Sequence, residues 1–561
     1  MVRFLGGTWI VSVDDVWRFD QCPQSFLNAV DVARGIGQSP PRRAEPLRAM
    51  MGLVLDDHRE RIVTDVSSRS DHTVTIAPTT GPGIGPDQLL GRLDSSHRST
   101  LDALNDHAKV VISPVFAEPD SLSGGTDIVW TGSVDVITRS PALAPAVDQS
   151  EPGWELWEAR LGASQTGRTL FRLAAFTDFL TRTGHPTTNR VRILFANSPD
   201  SLRGIQRSVE QWIEAKGRLE GVLESHLKKD SPLVWPTADP PSCGRKSCDW
   251  CSGALRHHDD IFRLPGITSL QRLALNNAGI PTVTSLALAS RRELASRVTG
   301  IEPDLLSKLH TQATLSHLAA QDPESPPPFE VVNPRALDVL PQPDPADLFL
   351  DFEADPGFRV WTAKDPYFPT PRAADPRWWL GLDYLAGIAT RATSPSGENF
   401  LALWSENFDE EEHHFRLLLE DITSLRHTAP SAHVYHYAPY EMVALHRMAR
   451  RYGHGASLLS DWEREGVFVD LHRILTRSIL AGVPNYSLKS VERLFLPATS
   501  RGEVADGAGS VAAIRDYWKA RHQTEGAVAE ALKSSIISYN LQDTLSTRDL
   551  ADWLATRAQT V

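Results

Sequence analysis

Cysteine is scarce, with four in 561 residues, and that excludes a disulfide-built scaffold and makes a reducing cytoplasm the default compartment. No apolar run reaches the roughly 18 residues that a membrane helix needs, so no membrane partner is expected. The first ten residues carry one Arg and a short apolar stretch, but Asp14 and Asp15 follow at once, unlike a secretory leader. There is no G-x₄-GK-[ST] phosphate loop anywhere, so a helicase motor would have to be a separate partner. Basic residues are in the minority: 57 Lys and Arg face 70 Asp and Glu, a net charge of −13. Such a chain repels phosphate on average and can bind nucleic acid only through a local basic groove. Surplus carboxylates can instead hold divalent cations.

What is present is the composition of a globular protein, 41% hydrophobic and 23% charged, in a chain too long for one core. The clearest internal boundary is Gln321–Pro345, with eight prolines; it reads as a semi-rigid linker. A second composition shift follows Cys251. Boundaries near residues 258, 322 and 346 divide the chain into blocks 1–257, 258–322, 323–345 and 346–561. The first block alternates helical and strand patterns: helical from Val13 to Val30, β-rich at Asp127–Thr138 and Trp154–Arg160, a helix over Leu170–Thr183, and a strand at Arg190–Phe195. The last block opens on the buried-type strand LFLDFE and interleaves strands and helices after it. The fold class is therefore multidomain α/β with mixed sheets.

Three cysteines fall within nine residues, Cys243, Cys248 and Cys251, and the fourth is Cys22. Four thiolates suit an iron–sulfur cluster or a structural zinc ion. In the same block lie His58, Asp135, Glu158 and Arg160. Residues i and i+2 of a strand share a face, so Glu158 and Arg160 project together, an acid that can ligate Mg²⁺ beside a cation. Cys22 and the C-x₄-C-x₂-C tail, bracketing these residues, resemble the RecB-like PD-(D/E)XK nuclease domain with an iron-staple cluster, over about residues 1–257. The resemblance implies a 4Fe-4S cluster on the four cysteines, with zinc as the alternative. It also implies a catalytic centre of His58, Asp135, Glu158 and Arg160, with metal on Asp135 and Glu158. Three positions depart from it: Arg160 replaces the lysine, Arg172 a glutamine and Phe176 a tyrosine. Arg cannot deprotonate as Lys can, which leaves this centre either active or silent.

The middle block places Gly266-Ile267, Gly279-Ile280 and Gly300-Ile301 at turns between short helical patterns. It looks like tandem helix-hairpin-helix units, which grip nucleic-acid backbone through N–H groups at helix starts; a plain helical spacer would show the same periodicity.

In LFLDFEADP, Asp351 and Glu353 alternate with Leu350 and Phe352, so both acids leave one strand face while the apolar residues enter the core. Paired acids on so apolar a strand suit two closely spaced Mg²⁺ or Mn²⁺ ions. VYHYAPYE is read as ending a strand with Glu441, and Tyr539 and Asp543 lie one helical turn apart. This order is similar to the DEDD exonucleases of the tyrosine subclass, on a ribonuclease-H-like fold. HYAPYE and NYSLKSVERLF resemble the YprB-type domain in particular, over residues 346–561. The resemblance implies that Asp351, Glu353, Glu441 and Asp543 ligate two ions and that Tyr539 positions the attacking water. The clusters Glu410–His414 and Arg256–Asp260 read as solvated faces or linker before metal ligands, and Arg450 and Arg451 equally as phosphate contacts or as part of a surface helix. The expected function is a metal-dependent nuclease acting 3′ to 5′ on single-stranded DNA, the N-terminal domain holding or also cutting the strand. The alternatives are a catalytically silent nucleic-acid-binding scaffold of a repair or defence complex and an RNA-processing exonuclease.

Overall fold

The computed structural model describes residues 2–39, 46–79, 85–106, 108–140, 153–161, 167–196, 200–233, 248–358, 381–394, 397–496, 507–523 and 525–560. The chain divides into two compact units, Met1–Arg43 with Met51–Ala254, and Ala44–Met50 with Leu255–Val561.

In the first unit, β1 (Arg3–Leu5) and β2 (Thr8–Ser12) lead into α1 (Val13–Gln21) and α2 (Pro23–Ala33). The helical periodicity expected over Val13–Val30 is thus interrupted. Cys22 takes an extended backbone, closes α1, and caps α2 by accepting the Ser25 amide on its sulfur. There follow α3 (Pro46–Ser68), β3 (Thr73–Thr75), α4 (Pro86–Asn105), β4 (Val110–Ile112), β5 (Val115–Ser121), β6 (Asp127–Ser133), β7 (Val136–Ser140), β8 (Gly153–Arg160), α5 (Gly167–Arg182), β9 (Thr187–Phe195), β10 (Ser201–Gly204), α6 (Gln206–Leu227) and α7 (Asp249–His257). Two sheets form, ordered β1-β2-β6-β5 and β10-β9-β8-β7-β4-β3. β8 runs between antiparallel β7 and parallel β9. Its alternation sends Trp154 and Leu156 into the main core with Phe171, Phe176 and Trp212, and Trp157 into a smaller cluster with Val66 of α3. Glu158 and Arg160 therefore face α5.

The second unit begins with α8 (Ser269–Asn277), α9 (Val283–Leu288), α10 (Arg291–Arg297) and α11 (Pro303–Gln321), which enclose a small core of their own around Leu275, Leu286, Leu294 and Leu309. Gly266, Gly279 and Gly300 have φ of 77°, 74° and 83°, the left-handed region that the turn reading required of them. The proline-rich segment is more than a linker. It supplies β11 (Phe329–Val331), paired antiparallel with β17 (Ile479–Ala481), and buries Leu337 and Leu340 in the C-terminal core. Prolines exclude it from central ladder positions, but a three-residue pairing strand avoids them.

The rest comprises β12 (Leu348–Asp355), β13 (Leu382–Ser394), β14 (Gly397–Trp404), α12 (Phe408–Thr428), β15 (Val434–His436), α13 (Tyr440–Tyr452), α14 (Ala456–Glu465), β16 (Phe468–Asp470), α15 (Leu471–Ser478), then β17, α16 (Leu488–Val491), α17 (Gly507–His522) and α18 (Gly526–Thr560). The sheet is ordered β14-β13-β12-β15-β16, antiparallel from β14 to β12 and parallel from β12 to β16. One face packs on α12, α13 and α14 through Leu350, Phe352, Leu418 and Leu445. The other packs on α15 and α18 through Phe349, Leu475 and Leu550. Asp351 and Glu353 share the register of Phe349, so they lie on the α18 side.

Candidate active site

α18 passes over the centre of β12, and its Asp543 meets the two strand acids there. Oxygen atoms of Asp351, Glu353 and Asp543 lie within 4.8 Å of one another, with Glu353 and Asp543 buried. Two charged carboxylates 4.8 Å apart repel by about 3.5 kcal/mol at an effective dielectric near 20. Burial, followed by the neighbouring carboxylates Asp543, Glu353 and Glu441, pushes Asp351 well above the usual carboxylate range. Burial foremost raises Glu353 to about 8, with the hydrogen bond from Ser510 opposing it. The set is all oxygen, acidic and close, which fits hard divalent cations such as Mg²⁺ or Mn²⁺.

Each acid is held by neighbours that lack any sequence signature. Asn540, buried on α18, donates through Nδ2 to Asp351 Oδ2 at 2.7 Å. Gly387 is the β13 residue opposite Asp351, and a Cβ built there would stand 1.8 Å from Asn540 Oδ1. Ser510 of α17 donates to Glu353 Oε2 at 2.5 Å, and the buried Tyr384 phenol sits 2.6 Å from the Ser510 hydroxyl. Lys489 Nζ donates to the Tyr539 phenol at 2.9 Å and lies 4.6 Å from its ring centre. That phenol also hydrogen-bonds Asp543; burial and then the Asp543 charge raise its proton affinity.

Glu441 is placed differently from the expectation. β15 ends at His436, Ala438 turns the chain with φ of 68°, and Glu441 falls in the first turn of α13. Buried there, it lies 3.6 Å from His436 Nδ1 and outside the three-carboxylate group. It acts on Asp351 through its charge.

The raised proton affinity of Glu353 has a consequence for the metal-free chain. A carboxyl whose pKa rises from 4.5 to about 8 on folding contributes stability that is complete below the lower value and lost as pH climbs through the upper one. Metal-free protein is expected to melt lower at about pH 9 than at about pH 6.5, and Glu353→Gln to remove most of that difference. Paired thermal melts check this; equal pH dependence in both proteins would mean that Glu353 is not a group forced to share its proton.

In the first unit the sequence-predicted residues converge, but with arginines among them. Asp135 Oδ2 accepts the Ala159 amide at 2.7 Å, and Arg59 Nε lies 2.9 Å from Asp135 Oδ1. Glu158, wholly buried, shares its Oε1 between Arg160 at 3.1 Å and Arg172 at 2.8 Å. Burial first, then the Asp135 charge, raises Glu158 to about 7 against the pull of these guanidiniums. His58 donates from Nε2 to the Leu194 carbonyl at 2.9 Å. Phe176 is a core residue. Arg59, beside His58, was not anticipated; it pairs locally with Asp56 at 3.3 Å, but its reach to the distant Asp135 has no mark in the sequence.

The sulfur atoms of Cys22, Cys248 and Cys251 lie within 4.8 Å of one another, those of Cys22 and Cys251 at 3.4 Å. Cys243 falls outside the described residues. Thiols brought together from positions 229 residues apart form a donor set suited to a soft metal or an iron–sulfur cluster.

The second unit therefore has a mixed sheet whose central strand carries clustered acids under a C-terminal helix. Residues 380–555 match the RNase_H_2 model of the RNase_H superfamily, from β13 through Glu441, Tyr539 and Asp543, stopping short of β12. A ribonuclease-H-like domain thus occupies the C-terminal part of the chain. No curated protein and no solved structure matched it. Among the described residues, no helix is long and apolar enough to cross a membrane.

Proposed function

We propose that the C-terminal domain is a metal-dependent 3′–5′ exonuclease acting on single-stranded DNA, of the tyrosine DEDD type. The observation that carries it is the convergence of Asp351, Glu353 and Asp543 within 4.8 Å, with the Tyr539 phenol on Asp543. Asp351, Glu353 and Asp543, with Glu441 nearby, would hold two Mg²⁺ or Mn²⁺ ions. When bound, these supply positive charge at the scissile phosphate and lower the pKa of water. Tyr539 is fixed at both ends: its oxygen accepts from Lys489 and its proton goes to Asp543. It can therefore orient a water against the terminal phosphodiester. Lys489 adds a cation beside an otherwise anionic cluster, where a phosphate must approach. Ser510 and Asn540 hold Glu353 and Asp351 in place. The test uses 3′- and 5′-labelled single strands of DNA and RNA with Mg²⁺ or Mn²⁺. Shortening from the 3′ end of DNA is expected; no cleavage of either polymer would leave a nucleic-acid-binding scaffold, and preference for RNA an RNA-processing enzyme.

The N-terminal unit, in this reading, is a RecB-like PD-(D/E)XK domain that holds the strand, assisted by helix-hairpin-helix units at 258–322, in a cytoplasmic protein served by a separate helicase. Cys22, Cys243, Cys248 and Cys251 would carry a 4Fe-4S cluster, or else zinc. Its closure would tie the start of the unit to its end, so metal loss costs stability. Cys22→Ser is expected to lose the bound metal and to melt several degrees lower; metal analysis and visible absorption of anaerobically purified protein decide. Unchanged metal content would remove the cysteine centre.

A further inference from the structure

The resemblance that marks the first unit implies a divalent cation on Asp135 and Glu158, and the side chains there do not fit one. Of their four carboxylate oxygens, three are committed. Asp135 Oδ1 is ion-paired with Arg59, Asp135 Oδ2 accepts the Ala159 amide, and Glu158 Oε1 is shared by Arg160 and Arg172. The guanidiniums are anchored from outside the pair as well. Arg160 Nε donates to Thr169 Oγ1 at 2.6 Å, and Arg172 donates to the Ser133 carbonyl at 3.0 Å. Among the described residues Glu158 Oε2 alone of the four has no hydrogen-bond partner, so the pair offers a six-coordinate cation a single uncommitted oxygen. His58 donates from Nε2 to the Leu194 carbonyl, so the one ring atom it has left for a cation is the Nδ1 lone pair.

Charge decides the matter further. Three guanidiniums already surround these two carboxylates, Arg59 being shared with Asp56 at 3.3 Å. A divalent ion would enter at contact distance from three cations that cannot give up a proton. At the C-terminal centre three carboxylates lie within 4.8 Å of one another, and among the described residues the cation acting on Glu353 is the ammonium of Lys489.

We infer that the Asp135–Glu158 centre is metal-free: Arg59, Arg160 and Arg172 stand in the place of the cation, and the centre is a structural ion cluster rather than a second cutting site. This holds whether or not the C-terminal centre cleaves nucleic acid.

The test is Mn²⁺ binding to the full chain, followed by electron paramagnetic resonance. The double variant Asp351→Asn/Asp543→Asn, which leaves the first unit untouched, is expected to lose stoichiometric Mn²⁺ binding altogether, and its melting temperature is expected not to respond to Mn²⁺. Retention of one tightly bound Mn²⁺ that disappears on adding Asp135→Asn overturns the inference. A wild-type chain that binds no Mn²⁺ would defeat the exonuclease reading while upholding this one. The ion-cluster role has its own readout. Arg172→Gln and Glu158→Gln should each lower the melting temperature, and combining them should cost less than the sum, because each alone strands its partner. Strict additivity would overturn it.

Discussion

Asp351→Asn is expected to reduce metal-dependent DNA cleavage by about a thousandfold or more, about 4 kcal/mol of transition-state stabilisation, without unfolding the chain. Asn preserves the shape of Asp351 and can still accept from Asn540 Nδ2 through its own carbonyl oxygen. What it cannot supply is the charge that completes a cation site with Glu353 and Asp543. The same substitution relieves the repulsion that raises the proton affinity of the cluster. Metal-free Asp351→Asn should therefore melt higher than metal-free wild type at about pH 8, while gaining less from added Mg²⁺. Asp543→Asn should behave alike and also free the Tyr539 phenol from its carboxylate partner. The two readouts move in opposite directions, activity down and metal-free stability up, which separates loss of a functional charge from damage to the fold. Cleavage within tenfold of wild type would exclude this cluster as the cutting site.

How much of this could be read from the chain alone depends on the range of the interaction. The strand acids were legible because alternation acts over two residues: Leu350 and Phe352 enter one core, so Asp351 and Glu353 had to leave on the other face. Tyr539 and Asp543 were legible because one helical turn separates them. Glu441 was misplaced because the strand stops at His436, and a non-glycine residue with positive φ, Ala438, reverses the path; no periodicity encodes that. The segment 323–345 was misread because eight prolines outweighed the spacing of Leu337 and Leu340. Ser510, Asn540 and Arg59 act on partners 157, 189 and 76 positions away (510 − 353, 540 − 351 and 135 − 59), and only the tertiary fold reveals them.

Gly387→Ala carries the second large expected effect, although it alters no charged or polar side chain. Gly387 faces Asp351 across the β12–β13 ladder, and the Asn540 amide fills the space above it. A methyl group there would overlap Asn540 Oδ1 at 1.8 Å and crowd Phe400 at 3.0 Å. Asn540 is buried and cannot swing into solvent, so either it rotates away from Asp351 or the strand yields. Overpacking of this kind costs about 1–3 kcal/mol of stability. Losing the donor that orients Asp351 displaces an oxygen of the proposed cation site, and a shift near 1 Å at a reacting centre costs about a hundredfold in rate. The double variant Gly387→Ala/Asn540→Ala separates the two losses. Truncating Asn540 makes room for the new methyl, so stability should recover relative to Gly387→Ala, whereas cleavage should not, because Asp351 still lacks its Nδ2–H partner. Thermal melts and initial cleavage rates on the three proteins measure this directly. If Gly387→Ala cleaves at the wild-type rate, Asn540 does not position Asp351, and the glycine answers only to packing.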